Sequence, residues 1–287
     1  MVTEISSNYA ELSDVVSHYL EAGSGGDTVV LLHGVPQSSH CWRPVMAALS
    51  DQYRVIAPDL RGLGDTSRPK SGYDKKTVAG DVWELIRKLG IERFFLAGHD
   101  WGGPVAFSLA AQHPDAVRAL CILDVTIPGD GAEMSQGGRR WHHPFFRTPD
   151  LPEALCAGRE LMIVDWLFDN YGHRPDVIPV ADRAEYHRTY GSADAFLAMI
   201  SFYRAFAIDV ADNEAIVAKG GKLKMPVLGF GGEKGFGRGM ETVGSLKRMA
   251  ENVTGGTIPD CGHWIAEEAT DFLLAQLRAF FERNAAS

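Results

Sequence analysis

No stretch of the 287-residue sequence approaches the roughly 20 consecutive apolar residues that a membrane-spanning helix needs, so a membrane protein is not expected. Positive charge is in the minority. With 28 Lys and Arg against 37 Asp and Glu the formal net charge is −9, which argues against nucleic acid as a partner, because phosphate binding needs clustered cations. Cysteine is scarce: Cys41, Cys121, Cys156 and Cys261 stand far apart with no Cys-x-x-Cys pair, and read as free thiols of a reducing compartment. The first seven residues carry neither a basic nor an apolar block, so no secretory signal is expected and the location is read as cytoplasmic. No His, Cys and carboxylate cluster has metal-ligand spacing. The glycine-rich run Gly235-Phe236-Gly237-Arg238-Gly239 lacks the Gly-Lys-Ser/Thr of a phosphate loop. Neither metal nor cofactor is expected.

What is present is an alternation of strand and helix patterns. Apolar runs at 28–32, 53–57, 94–97, 117–125 and 226–230 fit strands buried on both faces. An earlier strand fits 15–20 and a short one 257–258. Helical spacing occupies 77–89, 102–113, 240–250 and 265–283. From about residue 127 the rhythm changes, and about a hundred residues pass without a convincing strand. Helical patches there cover 152–170 and 181–213. The pattern implies an α/β fold: a mostly parallel sheet flanked by helices, formed by 1–126 and 220–287, with a helical cap inserted at 127–219. In such sheets ligands bind beyond the carboxyl ends of the strands. His33, Asp59, Asp100, Asp124 and His263 all fall just after strands.

One segment organises the rest. In Gly98-His99-Asp100-Trp101-Gly102-Gly103 an apolar strand stops, a small-residue helix begins, and a single carboxylate sits between flanking glycines. An Asp before a helix is most often a cap. Here the glycine spacing is that of a nucleophile elbow, with Asp in the place of Ser. The order of elbow, acid, lid and histidine resembles the α/β-hydrolase superfamily over nearly the whole chain. The elbow is similar to that of epoxide hydrolases and haloalkane dehalogenases, and His33-Gly34-Val35-Pro36 is similar to the His-Gly-x-Pro oxyanion loop of the former. Trp141-His142-His143-Pro144-Phe145-Phe146 and Ser201-Phe202-Tyr203-Arg204-Ala205 resemble lid segments of a bacterial epoxide hydrolase subgroup that opens the ring with a lid His and Tyr. Fluoroacetate dehalogenases share that pair but carry two arginines where this chain has Trp101 and Pro104. Many haloalkane dehalogenases carry Asn where this chain has Val35.

The resemblance implies an epoxide hydrolase that makes a vicinal diol through an ester on Asp100, with a haloalkane or haloacid dehalogenase as the alternative. A carboxylate is a competent nucleophile toward a strained ring carbon. Hydrolysis of the ester then needs a base, and His263 is the histidine near the C-terminus that follows the last strand. Its orienting acid is Asp124, with Glu233 as the alternative. Backbone N–H groups of Val35 and Trp101 would form the oxyanion hole. Tyr203, paired with His142 or with His143, would protonate the alkoxide. Epoxide hydrolases commonly use two lid tyrosines, and Tyr203 is the one that stands out here. The implied partners are a small apolar epoxide and water, with a homodimer left open. Trp141, Phe145, Phe146, Trp166, Phe168, Phe196 and Phe202 suggest an apolar pocket, with which of them face inward left open.

Overall fold

A computed structural model of the chain describes residues 4–132, 137–174 and 176–285. Among these, eight strands form one sheet: β1 (Ile5–Glu11), β2 (Val16–Ala22), β3 (Thr28–Leu32), β4 (Arg54–Pro58), β5 (Phe94–His99), β6 (Val117–Leu123), β7 (Val227–Gly232) and β8 (Val253–Ile258). Their spatial order is β1-β2-β4-β3-β5-β6-β7-β8. The pairs β1–β2 and β2–β4 are antiparallel, and every later pair is parallel.

Continuous apolar strands follow from a sheet covered on both faces. Val30, Leu32 and Leu96 pack with Val78, Leu85, Val105 and Leu109 of helices α2 (Lys75–Lys88) and α3 (Gly102–Gln112). Their neighbours Val29, Leu31, Phe95 and Ala97 point the other way, onto Val45 and Leu49 of α1 (Arg43–Leu49) and Leu273, Leu277 and Phe281 of α12 (Thr270–Arg283). Burial of such side chains stabilises by about 1.5–3 kcal/mol each. Parallel register brings the carboxyl ends level, with Leu32 opposite Gly98, His99 opposite Leu123 and Leu123 opposite Phe230. The residues just past these ends therefore share one edge.

Helices α4 (His142–Arg147), α5 (Leu151–Cys156), α6 (Glu160–Tyr171), α7 (Val180–Tyr190), α8 (Ala193–Arg204) and α9 (Phe206–Gly220) lie between β6 and β7. Arg204 on α8 grips Glu153 on α5 with two bonds of 2.6 and 2.8 Å. Asp209 on α9 meets Lys75 at the start of α2, with a side-chain distance of 2.9 Å.

Three local differences from the sequence reading have physical causes. Strand β1 was not anticipated, because Ser6-Ser7-Asn8 gives it no apolar alternation, and it is held at the sheet edge by pairing with β2. Strand β8 runs back to Val253. Its Gly255-Gly256 pair carries no apolar side chain to mark a strand, and a Cβ on Gly255 would stand 1.8 Å from the Gly229 carbonyl oxygen, so only glycine allows this approach. The final helix is divided at Ala269 into α11 (Ile265–Glu268) and α12.

Candidate active site

Strand β5 and helix α3 meet at Asp100, whose φ of +48° is costly for a side chain bearing a Cβ. The sheet ladder holds it there: Asp100 N–H donates to the Leu123 carbonyl at 3.1 Å. The turn is tight. A Cβ on Gly102 would lie 2.4 Å from the carbonyl oxygens of Leu32 and His33, which explains the glycine. One residue past β6, Asp124 N–H donates to the Phe230 carbonyl at 2.8 Å, so the same ladder fixes a second carboxylate.

His263, on the loop between β8 and α11, sits between these two acids. Its Nδ1 is 2.6 Å from Asp124 Oδ2 and its Nε2 is 3.5 Å from Asp100 Oδ2. The other oxygen of Asp124 accepts N–H bonds from Gly232 and Arg238, both at 2.8 Å. Glu233 lies apart: its side chain is 49% exposed and pairs with Lys234 at 3.3 Å. Val35 N–H donates to Asp100 Oδ1 at 2.9 Å, and Trp101 leads directly into α3. His33 braces the loop before Val35, with Nδ1 bonded to the Gly34 carbonyl and Nε2 accepting from Leu60 N–H at 3.0 Å.

The electrostatics follow from this arrangement. Burial opposes ionisation of Asp100, but hydrogen bonding and charge from His263, then His99 and the Val35 N–H, hold the carboxyl far below its usual range. Asp124 is lowered in the same way, against burial, by His263 and then Arg140. For His263 burial favours the neutral ring, yet its bonds to both carboxylates win and raise its pKa.

Facing Asp100 from the helical segment is an aromatic group. The Tyr203 ring lies edge-on to Trp101 at 5.1 Å, to His143 at 5.1 Å and to His142 at 5.4 Å. Burial, then the charge of Asp100, raises the Tyr203 phenol well above its normal value. Burial pushes the His142 ring far down, with His143 and Arg140 adding to it. Burial, then Arg238 and Arg140, pushes His143 down to about 3. Both are therefore neutral at pH 7.

Sequence reasoning missed four participants. Tyr171, at the end of α6, bonds through its hydroxyl to His142 Nδ1 and lies 5.8 Å from the His263 ring. Tyr203 is thus not the sole tyrosine at the site. Tyr171 reads as core in the sequence because it continues the stripe of Val164, Leu167 and Phe168. Lys75, fully buried, lies 4.1 Å over the Trp101 ring and donates to the Phe202 carbonyl at 2.5 Å. Arg140 and Arg238 reach the cavity beside Asp100. That cavity, of about 230 Å³, is also walled by Val125, Ile127 and Phe206. The seven aromatics that suggested an apolar pocket are not among the walls of this cavity. Phe146, Phe168, Phe196 and Phe202 are packed into the interior instead.

His18, Asp59 and Asp65 bring three ligand-type atoms within 4.8 Å of one another. The Asp59 oxygens already accept from Ser39 and Asp65 N–H at 2.7 and 2.8 Å and meet His18 Nδ1 at 2.7 Å. The cluster therefore ties β2 to the loops after β3 and β4.

Comparison with known proteins agrees with this architecture. A family model described as "alpha/beta hydrolase fold" matches residues 27–270. The chain belongs to that family, and it is a hydrolase. It is 37% identical to the soluble epoxide hydrolase of Corynebacterium sp. (strain C12), over 98% of this chain and 99% of that one. It is 30% identical to a fluoroacetate dehalogenase of Burkholderia sp., over 94% and 91%. The solved structure of the epoxide hydrolase CorEH without ligand superposes with a TM-score of 0.88 at 35% identity, covering 98% of this chain and 99% of that chain. Within the family these similarities group it with the epoxide hydrolases. Among the described residues no helix is long and apolar enough to cross a membrane.

Proposed function

We propose that this enzyme hydrolyses an epoxide to a vicinal diol through a covalent ester on Asp100. The observation that carries the reading is the placement of His263 between Asp100 and Asp124, opposite the Tyr203–His142–His143 group.

Asp100 Oδ2 attacks a ring carbon while Oδ1 stays on the Val35 N–H. The breaking C–O bond delivers its electrons to the ring oxygen, which takes the Tyr203 phenolic proton. A phenol whose pKa is raised holds that proton until an alkoxide forms, and recovers it readily afterwards. If Tyr171 donates to His142 Nδ1, the imidazole carries its proton on Nε2 and offers it as a second donor.

Ester formation then arms the base. While Asp100 is ionised, its charge and hydrogen bond raise the pKa of His263. Alkylation removes that negative charge, so His263 shifts toward the neutral ring that can accept a proton. Water loses its proton to His263 Nε2 and attacks Asp100 Cγ. The tetrahedral oxyanion is held by the N–H groups of Val35 and Trp101. Losing one such donor typically costs on the order of 100-fold or more in rate. Collapse expels the diol oxygen, which takes the proton back from His263, and leaves Asp100 as a carboxylic acid whose proton restores the Tyr203 phenol. Residues 127–219 would act as the cap that shuts out bulk water, and the four free cysteines, all buried, fit a cytoplasmic location.

Dehalogenation is the second reading, favoured by the similarity to a fluoroacetate dehalogenase. Fluoroacetate dehalogenases share the lid His and Tyr, so what favours the epoxide is that Trp101 and Pro104 stand where those enzymes carry arginines. Epoxides and halogenated compounds of matched size should be assayed side by side. Diol without halide release supports the proposal, and halide release alone refutes it.

A further inference from the structure

The cavity beside Asp100 carries more charge than an apolar substrate calls for. Arg140, Arg238 and Arg248 all line it, together with Asp130 and Glu241. Arg248 and Asp130 form a 2.6 Å ion pair. Glu241 Oε2 is 3.6 Å from Arg238 Nη1. The glycine-rich loop at 235–239, which lacks the features of a phosphate loop, proves to be the mount for Arg238. The backbone N–H of Arg238 is pinned to Asp124 Oδ1 at 2.8 Å, and its side chain, 9% exposed, reaches the cavity. Arg140 comes from the helical segment and is clamped to the same loop, donating to the Phe236 carbonyl at 2.5 Å.

We infer that the natural substrate carries a carboxylate, received by Arg238 with Arg140 beside it, while Asp100 attacks the epoxide elsewhere in the same cavity. This rests on the epoxide hydrolase reading and names its substrate class. The two guanidiniums stand in each other's field: desolvation first, then the charge of Arg140, brings Arg238 down to about 10. Bringing like charges together out of water is costly, and an added anion offsets that cost. Asp100 is one such anion, since its charge also acts on Arg238. It loses that charge when the ester forms, and a substrate carboxylate replaces it at that step. Binding that strengthens as the reaction proceeds accelerates it. A methyl ester of the same compound offers no such replacement.

The test uses a medium-chain ω-epoxy acid, its methyl ester, and the saturated carboxylate of equal chain length. Wild-type enzyme should form diol from the acid with a kcat/KM at least about tenfold above that of the ester, the scale of one hydrogen bond to a charged group. The difference should lie largely in kcat, because the carboxylate is held more tightly as the ester forms, and it should shrink with added salt. Arg238→Met and, separately, Arg140→Met should each lower the acid-to-ester ratio, Arg238→Met by about tenfold or more. Equal or better turnover of the ester by wild-type enzyme overturns the inference, as does an equal loss on both substrates in both variants. Calorimetry with the saturated carboxylate separates the two levels. Arg238-dependent binding without any diol formation keeps the anion receptor and removes the epoxide step. Diol formation with no acid preference and no carboxylate binding removes the receptor alone.

Discussion

Replacing Asp124 with asparagine separates the two chemical steps. In the native site Asp124 Oδ2 accepts from His263 Nδ1 at 2.6 Å, while Oδ1 accepts from Gly232 and Arg238 N–H. The introduced asparagine can keep its oxygen on the two backbone donors, which turns its NH2 group toward His263. The ring must then accept at Nδ1 and carry its proton on Nε2, the atom that faces Asp100. A base protonated there cannot deprotonate water. The corresponding change in serine-protease triads lowers turnover roughly 10,000-fold. Ester hydrolysis should fall by about 1,000- to 10,000-fold here. Ester formation does not use His263 as a base and should fall by less than about tenfold. Folding stability should drop by about 1.5–3 kcal/mol, the value of one hydrogen bond to a charged group. Single-turnover quenching followed by intact-protein mass measurement resolves both steps, and the ester should accumulate. Glu233→Gln is the internal comparison and should leave both steps within about twofold, as for a surface substitution. Equal slowing of the two steps in Asp124→Asn, or a large loss in Glu233→Gln, would refute the assignment of Asp124.

Tyr203→Phe should slow ester formation by about 100-fold or more while the decay of an ester once formed stays within severalfold, as read by a chase experiment. Tyr171→Phe frees His142 Nδ1 and should slow ester formation by a smaller factor, about tenfold at most; a loss larger than that of Tyr203→Phe would reverse the roles of the two phenols. Stability should fall between about pH 7 and 5.5, because His99 (pushed down to about 4), His142 and His143 stay neutral when folded but gain protons when unfolded, at a cost of about 1.2 kcal/mol each. Glu267, pushed up to about 8 by burial, keeps its proton in the fold and acts with the opposite sign by about 2 kcal/mol. His263 and His18, raised in the fold, oppose this loss and His33 and His113, lowered, add to it; urea midpoints should show a net loss on acidification, and a gain would contradict neutral histidines.

The parts of the fold that were legible in the sequence are those where burial on both faces demands it. Thr28–Leu32 and Phe94–His99 are buried throughout and largely apolar because helices cover each side of the sheet. Strand β1 was not legible, since backbone pairing at an edge leaves Ser6 and Ser7 no reason to be apolar. The elbow announces itself because Gly102 has no alternative there. Contacts formed only in three dimensions left weaker marks. Tyr171 looks like one more core residue of α6, and nothing in a glycine-rich loop announces that Arg238 reaches the cavity beside Asp100. The facing of the aromatics between β6 and β7 was not legible for the converse reason: large apolar side chains signal burial, and that helical segment needs a core of its own.

The central claim is the covalent ester on Asp100 and its release by His263. His263→Gln should be mixed with an epoxide substrate and its intact mass recorded over time. The mass should rise by one substrate and stay there, with the added group on the peptide that contains Asp100. An unchanged mass in a folded variant that still consumes epoxide would contradict it.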